Sequence, residues 1–181
     1  MMMLKKIMIP GLLAMLMAVP MMGRDRSEAP AAITWYTVEK ASSLNAGHHK
    51  KILIDIYTSW CSWCRKMDAE TFADPAVAAY MNEHFYAVKL DAEEKLPIKF
   101  EGKYYLNPSP DHMRSVHELA ALMLQGRMGY PSYVFLDDKN QQITVSQGFN
   151  NAKDFLVILK YIGEDQYKKM SLEEYKIKPV L

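Results

Sequence analysis

The chain holds two cysteines in 181 residues, and both stand in one Cys61-Ser62-Trp63-Cys64 motif. Two thiols two residues apart close almost no loop, so a bond between them adds little as a staple. Reversible disulfide chemistry explains the spacing better. An apolar run, Ile52 to Tyr57, precedes the motif, and a helix is expected to begin at Cys61 after the short turn Thr58-Ser59-Trp60. Backbone N–H groups in a first helical turn are unpaired and carry partial positive charge, which favours a thiolate. Cys61 is therefore the expected attacking sulfur and the more exposed one. Cys64, one turn further on, is the expected resolving thiol, which releases a mixed disulfide by attacking Cys61.

Two other uses of the pair stay open at this point. Half of a zinc site would need further ligands, and His48, His49, His84, His112 and His117 show no second Cys pair and no His-x₃-His spacing. No metal and no cofactor beyond the cysteine pair is expected. A purely structural disulfide is the other use.

Asp55 lies in the middle of the apolar run, six residues before Cys61. A buried carboxylate is costly, and desolvation raises its pKa, which suits a proton acceptor beneath Cys64. A solvated strand end is the alternative. Lys89, in the next apolar run, is placed to pair with Asp55 or to reach solvent from the surface. Gly129-Tyr130-Pro131-Ser132 puts a proline just before a strand, where either a cis peptide or an ordinary trans turn fits.

These residues need elements to hold them. Ile52–Tyr57, Tyr86–Asp91 and Ser132–Leu136 read as interior strands, with Ile33–Tyr36 a short one and Ile143–Val145 joined to Ser132–Leu136 as a hairpin. Thr37 opens a helix over Val38–Ala46 with Gly47 as its stop, and Asp74-Pro75 opens another. Ser115-Val116-His117-Glu118 and Ser171-Leu172-Glu173-Glu174 both read as capping boxes, and Ala152–Ile162 reads as a helix. Residues 92–114 read as an insertion loop with a hairpin turn at Glu101-Gly102. Tyr104 and Tyr105 on it either contact partners or are merely exposed. The order implies one α/β domain with a mixed sheet covered on both faces.

Lys5-Lys6, an apolar stretch from Ile7 to Val19 and a polar Arg24-Asp25-Arg26 follow the order of a secretory signal. The expected organisation is a signal over 1–23, a linker over 24–32 and the domain over 33–181. The protein is thus expected to be exported to a periplasmic or extracellular space, or tethered to a membrane if the signal is uncleaved. Lys plus Arg is 22 and Asp plus Glu 21, so charge gives no reason to expect nucleic acid.

The segment Ile52–Lys66, the loop Gly129-Tyr130-Pro131 and Gly148 resemble the thioredoxin pattern. Trp60 through Tyr80, including Thr71-Phe72-Ala73-Asp74-Pro75, resembles exported thioredoxin-like proteins related to the C-terminal domain of the DsbD-type interchange protein. The resemblance covers about residues 50–160. It implies the thioredoxin fold, Cys61 as nucleophile, Cys64 as resolving thiol, Asp55 as buried acid/base, Pro131 as a cis proline and Trp60 packed beside the site. Ser62-Trp63 departs from thioredoxin's Gly-Pro, and the 92–114 insertion has no thioredoxin counterpart.

The expected function is therefore a thiol–disulfide oxidoreductase acting on protein disulfides as a reductase or isomerase. Cys61, Cys64 and Asp55 form its catalytic set, with Lys89 accessory and Trp60, Trp63, Tyr130 and Pro131 as the substrate-binding set. Its expected partners are protein thiols and disulfides and a membrane electron donor, and its expected state is a monomer. The alternative is a binding module on the same fold with an inert disulfide, in which Trp63 and Tyr130 serve as contact aromatics.

Overall fold

The computed structural model describes residues 32–48 and 50–177. The expected signal over 1–23, the linker except for Ala32, and His49 lie outside these residues.

The apolar run around Asp55 forms β2 (Lys51–Tyr57), with its five inner residues buried. It lies at the centre of a five-stranded sheet. Parallel to it runs β3 (Phe85–Asp91), and beyond that β1 (Trp35–Tyr36). Antiparallel on its other side is β6 (Ser132–Leu136), followed by β7 (Gln142–Gln147) at the edge. A strand paired on both sides and covered on both faces must be apolar throughout, which is why β2 shows no polar alternation.

Successive side chains of β2 serve two cores. Ile52, Ile54 and Ile56 pack with Val38, Ala41, Leu119 and Met123 from α1 (Val38–His48) and α4 (Glu118–Met123). Leu53 packs on the opposite face with Val77, Met81, Phe155 and Leu159 from α3 (Pro75–His84) and α5 (Ala152–Gly163). Asp55, two residues on from Leu53, points to that second face. The fold is the thioredoxin fold.

Some helix ends follow the local rules and others do not. Asp74 Oδ1 accepts the N–H groups of Ala76 and Val77, and Pro75 starts α3. Ser171 and Glu174 exchange bonds at the start of α6 (Leu172–Ile177), an exposed end with no competing partners. The Ser115–Glu118 box does not form. His117 is the N-cap, its Nδ1 accepting Leu119 N–H at 3.2 Å. The Ser115 hydroxyl instead donates to Asn107 Oδ1, and the Glu118 carboxylate accepts Leu106 N–H. Packing of the insertion claims both side chains before the helix can. Nor does Gly47 stop α1, which runs on through His48.

Within the insertion, β4 (Ile98–Phe100) and β5 (Lys103–Tyr105) form a separate two-stranded sheet. Its turn places Glu101 at φ 49° and Gly102 at φ 76°, the left-handed geometry that a two-residue hairpin needs. Ile98 and Phe100 join the first core, so the insertion is part of the packed domain. Tyr104 is exposed and Tyr105 half-buried. No helix among the described residues is long and apolar enough to cross a membrane.

Candidate active site

Cys61 and Cys64 are joined by a disulfide, with Cα atoms 5.3 Å apart. Cys61 has extended backbone angles and is the N-cap of α2 (Ser62–Lys66), which runs directly into a π-helical turn over Met67–Thr71. Its Sγ accepts the N–H of Cys64 at 3.1 Å, so a donor from the helix start is aimed at this sulfur. The Cys61 N–H bonds to Thr58 O at 3.2 Å and the Arg65 guanidinium to Ser59 O at 3.0 Å, which ties the turn down from both sides. The sequence leads one to expect Cys61 to be the more exposed of the two and Cys64 the more buried, and the structure keeps that order. Both nonetheless lie within the buried range, at 5% and 2% exposure. Cys61 is drawn in because it closes the turn from Thr58 and its sulfur faces the helix end.

A charged triad links the turn after the cysteines to the central strands. Asp55 is 1% exposed and stands opposite Lys89 in the β2–β3 register. Lys89 Nζ is 2.8 Å from Asp55 Oδ2 and also bonds Asp68, four residues after Cys64 in the π turn. The ammonium sits among three rings, 5.0 Å from the centroids of Trp35 and Tyr57 and 5.3 Å from that of Phe72. Burial pushes the Asp55 carboxyl up to about 6, and Lys89 only partly offsets it. Burial alone would lower Lys89, but Asp55 and Asp68 outweigh it and hold the lysine above its ordinary value. Among the described residues, Asp55 Oδ1 and the hydroxyl of Tyr133, its cross-strand neighbour in β6, are buried without hydrogen-bond partners.

Around the disulfide, two exposed indoles form a rim. Trp60 is 50% exposed and Trp63 54%. Trp63 leans on Phe149, ring centroids 5.6 Å apart, with Lys66 Nζ over both rings. Trp60 packs edge-to-face on Tyr130 at 6.0 Å, donates from Nε1 to Glu93 Oε1 at 2.8 Å, and carries the Arg114 guanidinium 5.0 Å from its centroid. The Tyr130–Pro131 peptide bond is cis and Pro131 is buried. Trp60, Arg114, Met128 and Tyr130 help to line a cavity of about 320 Å³ on this side. Among the described residues, no cluster of three or more His, Cys, Asp or Glu side chains is arranged to hold a metal ion.

A family model described as Thioredox_DsbH (Protein of unknown function, DUF255) matches residues 24–171. The chain belongs to that family. It is 25% identical over 122 residues to the disulfide bond reductase DsbH of Chlamydia pneumoniae, covering 66% of each chain. It is 25% identical over 130 residues to the thiol:disulfide interchange protein DsbD of Photorhabdus laumondii, covering 71% of this chain and 19% of that one. The chain thus spans about a fifth of the length of this DsbD relative and two thirds of that of DsbH. A solved DsbH oxidoreductase superposes with a TM-score of 0.57 at 19% identity, over 79% of this chain and 92% of that one, a likeness of fold.

In this Thioredox_DsbH chain, the fold brings Cys61, Cys64, Trp60, Trp63, Tyr130 and Pro131 to one end of the sheet, with Asp55 and Lys89 joined below. Sequence reasoning missed Asp68, Glu93, Arg114 and Phe149. Asp68 had a usable signal, since it falls four residues after Cys64 on the same helical face. Glu93 and Arg114 had none: they lie 21 residues apart and meet Trp60 only because the insertion folds back on itself.

Proposed function

We propose that this protein is a thiol–disulfide oxidoreductase that reduces or rearranges disulfides in exported polypeptides. The observation that carries the reading is Cys61 Sγ receiving the Cys64 N–H, together with a buried carboxyl raised to about 6 that Lys89 ties to Asp68, four residues after Cys64. The names of its DsbH and DsbD relatives agree with this activity, and the basic-then-apolar start of the chain agrees with export.

In the reduced protein, the Cys61 thiolate attacks one sulfur of a substrate disulfide. A Cys61–substrate disulfide forms and a substrate thiolate leaves, taking a proton from solvent. The Cys64 thiol then gives its proton to the Asp55 carboxylate and attacks Cys61 Sγ. The second substrate sulfur leaves as a thiolate and takes a proton from solvent, Asp55 gives up its proton, the substrate has gained two electrons, and Cys61–Cys64 is oxidised. Lys89 and Asp68 hold Asp55 in position for that transfer. A dithiol reductant must return two electrons before the next turn. Trp60, Trp63, Tyr130 and Pro131 line the approach to the sulfur.

The Cys64→Ala variant tests this, because it removes the resolving step. Mixed disulfides should then accumulate on Cys61, visible as adducts that thiols release. Absence of any adduct, together with no reduction of a test disulfide by the dithiol form of the wild type, is the result that overturns the reading.

A further inference from the structure

We propose that Arg114 makes the site selective for polypeptide disulfides whose reacting cysteine has an aspartate or glutamate beside it. This rests on the oxidoreductase reading and specifies its substrate class. Trp60 immediately precedes Cys61, and the Arg114 guanidinium lies 5.0 Å from its ring centroid, so a full positive charge stands on the side chain next in sequence to the reacting cysteine. The guanidinium is uncommitted: among the described residues no carboxylate forms an ion pair with it. Glu93, which lines the same cavity, is instead bonded to Trp60 Nε1. Arg114 also has φ 63°, a left-handed conformation that disfavours any residue with a Cβ, so the chain holds this side chain here against local preference.

The cavity beside it supplies the rest of the fit. Trp60, Val116, Met128 and Tyr130 give it an apolar wall, and Arg114 and Glu93 stand with them around it. Its volume of about 320 Å³ suits a side chain or two of an extended segment. On the other flank Arg65 and Lys66 directly follow Cys64; Arg65 donates to Ser59 O, and Lys66 lies over Trp63 and Phe149 and pairs with Glu70 at 3.9 Å. Lys66 is thus paired and Arg65 is bonded to backbone, which leaves Arg114 as the cation of this rim that no carboxylate among the described residues holds, although Glu93 lines the same cavity. A substrate segment with a carboxylate next to its cysteine finds a partner there, while a basic segment meets like charge. Rim charges of this kind act on encounter rate and are screened by salt.

The test is single-turnover reduction of matched peptide disulfides by the pre-reduced protein. The peptides differ only in Glu, Gln or Lys beside the cysteine. The Glu peptide should react about 5-fold faster than the Gln peptide at low ionic strength, with Lys slowest, and the ratio should shrink toward one near 0.5 M salt. Arg114→Gln should bring the Glu/Gln ratio close to one, and Arg114→Glu should invert it. Because the readout is a ratio within each variant, a general loss of activity cannot imitate the result. Equal rates for Glu and Gln peptides in the wild type, or a preference that survives Arg114→Gln, overturns the inference and leaves the oxidoreductase reading intact. Failure to reduce any of the peptides overturns both.

Discussion

Two charged groups of residues are tied to the segment that carries the Cys61–Cys64 disulfide, one through Asp68 after it and one through Trp60 before it, and they are built in different ways. The lower one, Asp55–Lys89–Asp68, comes from the central strands and the helical segment that follows the cysteines, with strand register holding Asp55 against Lys89. The upper one, Trp60–Glu93–Arg114–Tyr130, is assembled by the insertion and the cis-proline loop, and it is open to solvent. Burial makes the lower group responsive to pH, because a proton there changes energies that water does not screen. Exposure makes the upper group responsive to salt and to the partner. Changes below should therefore alter pH dependence and the chemical steps, and changes above should alter KM and selectivity.

The largest separation is expected from Asp55→Asn. Release of the mixed disulfide at pH 7 should slow by about 100-fold, within the range for loss of a general base. The step near pH 6 in the rate profile should disappear. Stability should move the other way. The folded-state value of about 6 lies above the unfolded value near 3.8, so the folded state holds this proton more tightly. The protonated carboxyl thus favours folding fully below pH 4, and that advantage is lost as pH rises through 6. By pH 8 the ionised group costs about 3 kcal/mol, since a tenfold difference in proton affinity between folded and unfolded chain is worth about 1.4 kcal/mol. Denaturant titration of the oxidised forms should find Asp55→Asn more stable than wild type at pH 8 by roughly 2–3 kcal/mol, with the two converging near pH 4. An unchanged release rate would remove Asp55 from the chemistry.

Lys89→Met sharpens the same point with a smaller effect. Without its cation, Asp55 keeps only the burial penalty and the Asp68 charge, both of which raise it. The pH midpoint of resolution should rise by about one pH unit. The rate at pH 7 should fall roughly 10-fold, because Asp55 is then both more protonated and less firmly held. Much of this lower region was legible in the sequence. A buried strand is the simplest reading of Ile52–Tyr57, and a charge in the middle of such a strand demands a partner. The second interior strand supplied Lys89 at the matching level. Asp68 was not recognised, because helical spacing places it near Cys64 but cannot show that Lys89 reaches it across the layer.

The insertion gives the opposite lesson. Its hairpin turn was readable at Glu101-Gly102, but what fastens it was not. Asn107 is buried, donates to Glu94 O and Ser115 O, and accepts from Ser109 N–H and the Ser115 hydroxyl. These partners draw Ser115 out of the capping box that local spacing suggested, and His117 takes its place. Nothing in the local pattern reports a competition settled by contacts 8 to 13 residues away. Asn107→Ala strands several of these groups and should cost about 2–3 kcal/mol in denaturant titration. It should raise KM for acidic peptides several-fold as Arg114 loses its fixed place. The pH midpoint near 6 should stay where it is. A shift of that midpoint would show that the two groups are coupled, contrary to the division drawn above.

The smallest effect isolates a single hydrogen bond. Trp60→Phe keeps a ring under Arg114 and against Tyr130 but deletes the N–H that holds Glu93. Both side chains are solvated, so stability should stay within about 0.5 kcal/mol of wild type. Once released, Glu93 is free to turn toward Arg114 and compete with a substrate carboxylate for it. KM for the Glu peptide should then rise about 2- to 3-fold, an amount in keeping with exposed charge interactions, while kcat holds. Trp63→Phe deletes no such hydrogen bond, so it should change the Glu/Gln ratio less than Trp60→Phe does. Equal changes from the two indoles would mean that the rim reads aromatic bulk alone and that its charges are incidental.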